Sequence, residues 1–68
     1  MSKEEIIDLL VERWNNAKYA MNNALDFESR NSACNMVDEL TSIIAKVTNT
    51  DISECYDFLK ENKKIEIK

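Results

Sequence analysis

The chain contains no glycine, no proline and no histidine. Without glycine it cannot build the Gly-rich loops that cradle phosphates, because those loops need positive φ or a close backbone approach to the ligand. Dinucleotide-binding and Walker-type sites are therefore excluded. Without histidine there is no two-His zinc site, no Ser-His-Asp triad and no Cys-His dyad, and the side chain that most readily moves protons near neutral pH is missing. Long apolar runs are lacking too. The longest are short clusters such as Leu9-Leu10-Val11 and Ile43-Ile44-Ala45, far below the roughly 18 residues that span a bilayer. Met1-Ser2-Lys3-Glu4-Glu5 turns acidic at once and lacks the layout of a signal peptide. These features predict a cytoplasmic protein with no membrane partner.

Positive charge is also scarce. Nine basic residues, only Arg13 and Arg30 among them arginine, stand against 13 acidic ones, for a net charge of −4. A protein that neutralises phosphates carries the opposite balance, so direct nucleic-acid binding is not expected. Two cysteines, Cys34 and Cys55, form no CxxC pair, which predicts free thiols, no metal site and no cofactor. Cys55 falls on an apolar helix face, whereas Cys34 lies away from the main seam of its helix.

What is present is a 68-residue chain, 44% hydrophobic and 32% charged, the balance of a folded domain. Ser2 and Glu5 form a capping box that opens a helix near residue 3. From there Ile7, Leu10, Trp14, Ala17, Met21 and Ala24 recur at spacings of 3 and 4, flanked by Ile6, Val11 and Leu25. The register fails beyond residue 25. A second stripe, Ala33, Met36, Val37, Leu40, Ile43, Ile44 and Val47, predicts another helix, with the polar segment 26–32 as the turn and Asp26, Ser29 or Ser32 as its N-cap. The hendecad spacing of Trp14, Leu25, Met36 and Val47 allows one continuous helix as the alternative.

Thr48-Asn49-Thr50 ends the second stripe, and Asp51 with Glu54 forms another capping box. A short third helix follows, carrying Ile52, Cys55, Tyr56 and Leu59, with Asn62 as a left-handed C-cap. The expected fold is all-α: a small helical bundle in which a long N-terminal helix packs antiparallel on a second helix, with a short third helix beside them. Residues 1–62 form the single domain and residues 63–68 a flexible or edge-strand tail. A chain this short buries only about 60% of its surface, so self-association is expected to complete the bundle. Ile7, Leu10, Trp14, Met21, Leu40 and Ile44 are the expected seam. The Trp14 indole N–H then needs a buried acceptor, from a backbone carbonyl or an asparagine.

Helical projection places Tyr19 opposite the seam, flanked by Asn15, Asn16, Asn22 and Asn23. Lysine and glutamate suit a helix exterior better than asparagine, so an aromatic ring among four amides is the expected surface for recognition of a protein partner or a nucleobase-like ligand. The alternative is a plain solvent face with Tyr19 half-covered by the third helix. Lys18 and Arg30 are candidates for an anion or nucleotide site near the turn. The carboxylates all fall at polar helical phases, without the burial that separates the pKa values of an acid–base pair.

The first functional expectation is therefore a non-catalytic, acidic helical protein that binds a protein partner stoichiometrically as a regulator or inhibitor. Its Asn-, Lys- and Ile-rich composition suits a low-GC bacterium or phage, where such a chain acts on host or defence factors. The alternatives are a small-molecule, nucleotide-like binder with sites between subunits and, third, a nucleic-acid mimic.

Overall fold

The computed structural model describes residues 2–63 and Ile65. Three helices follow in chain order: α1 (Lys3–Asn22), α2 (Phe27–Thr48) and α3 (Ile52–Lys60). The chain is a hairpin rather than a continuous helix. Because Trp14 of α1 reaches Thr41 of α2 while Ala17 and Ala20 lie beside Ala33 and Met36, α1 and α2 run antiparallel. No helix among the described residues is long and apolar enough to cross a membrane.

Local chemistry sets each boundary. At the start of α1 the Glu5 amide donates to Ser2 Oγ at 3.2 Å, and the Ser2 hydroxyl donates to the Glu5 carboxylate. The turn, however, comes earlier than the polar segment 26–32 suggests. Asn23 caps α1, and Asp26 alone serves as the N-cap of α2, accepting from the Ser29 amide. Residues 27–32 are helical, since one capped end needs only a single acceptor at the Ncap position. The seam therefore stops before Ala24, and Leu25 leaves it for the connection.

Two asparagines replace the missing glycine. Asn49 and Asn62 have φ of 56° and 60°, the left-handed region that asparagine tolerates better than most residues. At each, two amides turn back into the helix: Asn49 N–H to Lys46 and Thr50 N–H to Ala45, then Asn62 N–H to Leu59 and Lys63 N–H to Phe58. Both are Schellman closures that satisfy terminal carbonyls. Asp51 is the N-cap of α3, but its side chain makes no capping bond.

The core comprises Trp14 and Ala17 of α1, Val37, Ile44 and Ala45 of α2, Cys55 and Leu59 of α3, and Ile65. Ile7 is buried as well. On α2 the buried face is rotated from the apolar stripe: Thr41 and Thr48 are inside, whereas Met36 is 52% exposed. Each buried hydroxyl donates to the carbonyl four residues earlier, Thr41 to Val37 and Thr48 to Ile44. Such a bond lets threonine enter a helix interior without an orphaned group. The Trp14 indole donates to Thr41 Oγ1 at 2.8 Å, a side-chain acceptor in place of the expected carbonyl or amide.

The expected tail, 63–68, falls largely on residues 64 and 66–68, which lie outside the described residues. Lys63 is exposed and pairs with Glu61 at 2.9 Å, while Ile65 is buried.

Candidate functional site: the bare end of the hairpin

Helix lengths decide which part of the surface stays open. At 1.5 Å per residue, the 20 residues of α1 run for about 30 Å and the nine of α3 for about 13 Å. Tyr56 anchors α3 at the middle of the hairpin. Its ring meets Trp14 edge-on, with centroids 6.1 Å apart, and its hydroxyl accepts from Lys18 Nζ at 3.1 Å. Tyr19 lies at the far end of the hairpin from the start of α3, as do the 23–26 connection and the first turn of α2.

That end carries the three most exposed large apolar side chains among the described residues: Leu25 at 102%, Phe27 at 82% and Tyr19 at 71%. Tyr19 is thus not half-covered by α3. Asn15, Asn16, Asn22 and Asn23 are exposed with it. Asn23 has a local task, because both its backbone N–H and its side-chain amide donate to the Tyr19 carbonyl. Sequence reading missed Phe27 as part of this surface and placed Leu25 beside the seam. The only available signal was Asp26, whose capping role makes its neighbours the entry to a helix.

Lys18 and Arg30 are not brought together. Lys18 Nζ lies 5.5 Å from the Tyr56 ring centroid and 6.0 Å from that of Trp14, a cation held between two aromatics. The hairpin register places Lys18 level with α2 near residue 37, about 10 Å along the axis from exposed Arg30. The seam residues Ile7, Trp14 and Ile44 are buried within the single chain, with Leu10 and Leu40 packed against its core. Met21 is half-buried. None of the three buried ones presents a surface to a second molecule.

The shifted titrating groups have structural causes. Hydrogen bonds from the Ser29 hydroxyl and amide hold the Asp26 carboxyl below its ordinary value. A hydrogen bond from Lys63, then its charge, lowers Glu61 and correspondingly raises Lys63. Burial pushes the Cys55 thiol up, which makes it a poorer nucleophile; Cys34 is half-buried. Among the described residues no group of His, Cys, Asp or Glu is arranged to hold a metal ion.

The chain matches no protein-family model, no curated protein and no solved structure.

Proposed function

We propose that this chain is a non-catalytic binding protein that associates with itself and presents the connection end of each hairpin to a protein partner as a stoichiometric regulator or inhibitor. The observation that carries this reading is that the three most exposed large apolar side chains among the described residues, Tyr19, Leu25 and Phe27, all lie in the connection half of the hairpin. Large aromatic side chains dominate the energetics of protein recognition, since they supply rigid contact area with few rotatable bonds. The surrounding amides can donate and accept at the rim of such a contact. The nucleotide-binding alternative loses its motivating pair once Lys18 is engaged by Tyr56.

Photocrosslinking in cells of the source organism tests the proposal. A benzophenone side chain at position 19 should capture one protein in one-to-one ratio, and the same group at exposed position 60 should not. Excess unlabelled chain should compete, whereas Tyr19→Ala and Phe27→Ala should not. Equal capture from both positions, or equal competition by Tyr19→Ala, would remove the basis for the reading.

A further inference from the structure

The face of the hairpin opposite α3 contains a cleft of about 410 Å³ running between α1 and α2. Its walls include Arg13 and Ala17 of α1 and Met36, Glu39, Leu40 and Ile43 of α2. Met36 and Ile43 are 52% and 38% exposed, so apolar side chains that the sequence places in the helical stripe remain open to water here. We propose that this face is the dimer interface between two copies of the chain, packed so that α1 of each lies over α2 of the other. This deepens the self-association in the functional reading above and assigns it to a surface that includes, of the expected seam residues, only Leu40.

Three observations select a second copy as the occupant. The first is area. The chain exposes 5036 Å², whereas a compact monomer of 7.9 kDa exposes about 4,400 Å². The excess of about 600 Å² belongs to the whole surface and is shared with the exposed Tyr19, Leu25 and Phe27, and it is of the order that an interface of roughly 800 Å² per partner would cover. Two helices about 30 Å long, side by side at about 10 Å, offer a face of that order.

The second observation is charge. A chain with a net charge of −4 should repel its own copy, yet the cleft is lined by one cation and one anion, Arg13 and Glu39. Neither forms an ion pair within the described chain. The face is neutral and self-complementary, while the rest of the surface bears the acidic excess.

The third observation is register. The Trp14–Thr41 hydrogen bond levels the two helices at this point, which sets Arg13 level with Ser42 and puts Glu39 about 5 Å further along the cleft, within reach of a long arginine side chain. A two-fold axis parallel to the helices lays α1 over the partner's α2 and brings each Arg13 against an opposite charge. An axis across the helices would instead stack α1 on its own copy, with like charges at the centre, an arrangement that is destabilising. The parallel axis gives a four-helix bundle with antiparallel neighbours, and α3 stays on the two outer faces. Tyr19 projects away from the cleft side of α1, whereas Asn16 lines the cleft, so Tyr19, Leu25 and Phe27 remain free and Asn16 passes to the dimer face.

The test is sedimentation equilibrium of the full chain from micromolar to millimolar concentration, with far-UV circular dichroism as the folding control. The wild-type chain should sediment at twice its 7.9 kDa mass at the upper end, and Met36→Lys with Ile43→Lys should be a folded monomer. Arg13→Glu alone and Glu39→Arg alone should each weaken the dimer about tenfold or more. An equimolar mixture of those two variants should recover wild-type association, because each contact across the two-fold then joins unlike charges. Pairing within one chain cannot produce that recovery. A wild-type monomer at all concentrations overturns both this interface and the self-association reading. A dimer that survives the paired lysine substitutions, or a mixture that fails to recover, overturns this interface while self-association stands. A single foreign helix bound to the cleft of a monomer also overturns it.

Discussion

Replacing Thr41 with valine probes the interaction that ties α1 to α2. The Trp14 Nε1–H···Thr41 Oγ1 bond is 2.8 Å long and buried, with Trp14 2% and Thr41 3% exposed. Valine matches the shape of threonine but accepts no hydrogen bond, so the indole N–H is left inside without a partner. A buried donor left unsatisfied costs about 1–3 kcal/mol. The Val37 carbonyl loses the Thr41 hydroxyl as well, yet keeps its helical backbone bond, so it adds little. We expect Thr41→Val to destabilise the fold by about 2 kcal/mol, a fall in Tm of about 8–16 °C for a domain of this size. Urea unfolding followed by far-UV circular dichroism reads the change. Trp14→Phe supplies the decisive comparison: with no indole donor present, Thr41→Val should cost only a few tenths of a kcal/mol. Equal costs in the two backgrounds would falsify the assignment of Thr41 as the acceptor that orients Trp14.

Three further outcomes are expected. Asn49→Ala should destabilise the fold by about 1 kcal/mol because alanine gains nothing to offset left-handed backbone, while Asn49→Gly should be tolerated; thermal melts separate the two. The Asp26 carboxyl is lowered in the folded state, so its stabilisation is complete above the ordinary carboxylate value and is lost as pH falls through the lowered one. The stability gap between wild type and Asp26→Ala, followed by urea unfolding at successive pH values, should therefore shrink in acid rather than in base. Cys55 is fully buried with its thiol pushed up, so a thiol reagent should label Cys34 first and reach Cys55 only at the rate of unfolding; prompt modification of both in the native state would contradict that burial.

Much of this architecture is legible before any coordinates, for a physical reason. Apolar residues at spacings of 3 and 4 define one face of a helix, and residues such as Ser2, Asp26, Asn49 and Asn62 mark where backbone groups need other partners. These signals are local, so a sequence without glycine or proline still reveals three helices and their approximate ends. The site was less legible. Tyr19 and its asparagines follow from helical projection, but Leu25 reads as a continuation of the seam until the backbone turns before it, and Phe27 carries no pattern of its own.

What the sequence alone determined is the all-α character, the capped start of α1 and the left-handed asparagine at residue 62. Tertiary structure alone decided which side of α2 is inside, whereas on α1 and α3 the apolar stripes already held the buried Ile7, Trp14, Ala17, Cys55 and Leu59. Threonine is polar by composition, yet Thr41 and Thr48 are buried because each hydroxyl finds a carbonyl one turn back and Trp14 needs an acceptor at that level. Met36 and Ile43 are apolar, yet the third helix lies on the opposite face and leaves them open. Lys18 turns from a candidate ligand-binding cation into an internal tie to Tyr56. Apart from the local bond of Thr48 to Ile44, these outcomes depend on contacts between residues far apart in the chain, which helical periodicity, a property of one segment at a time, does not encode.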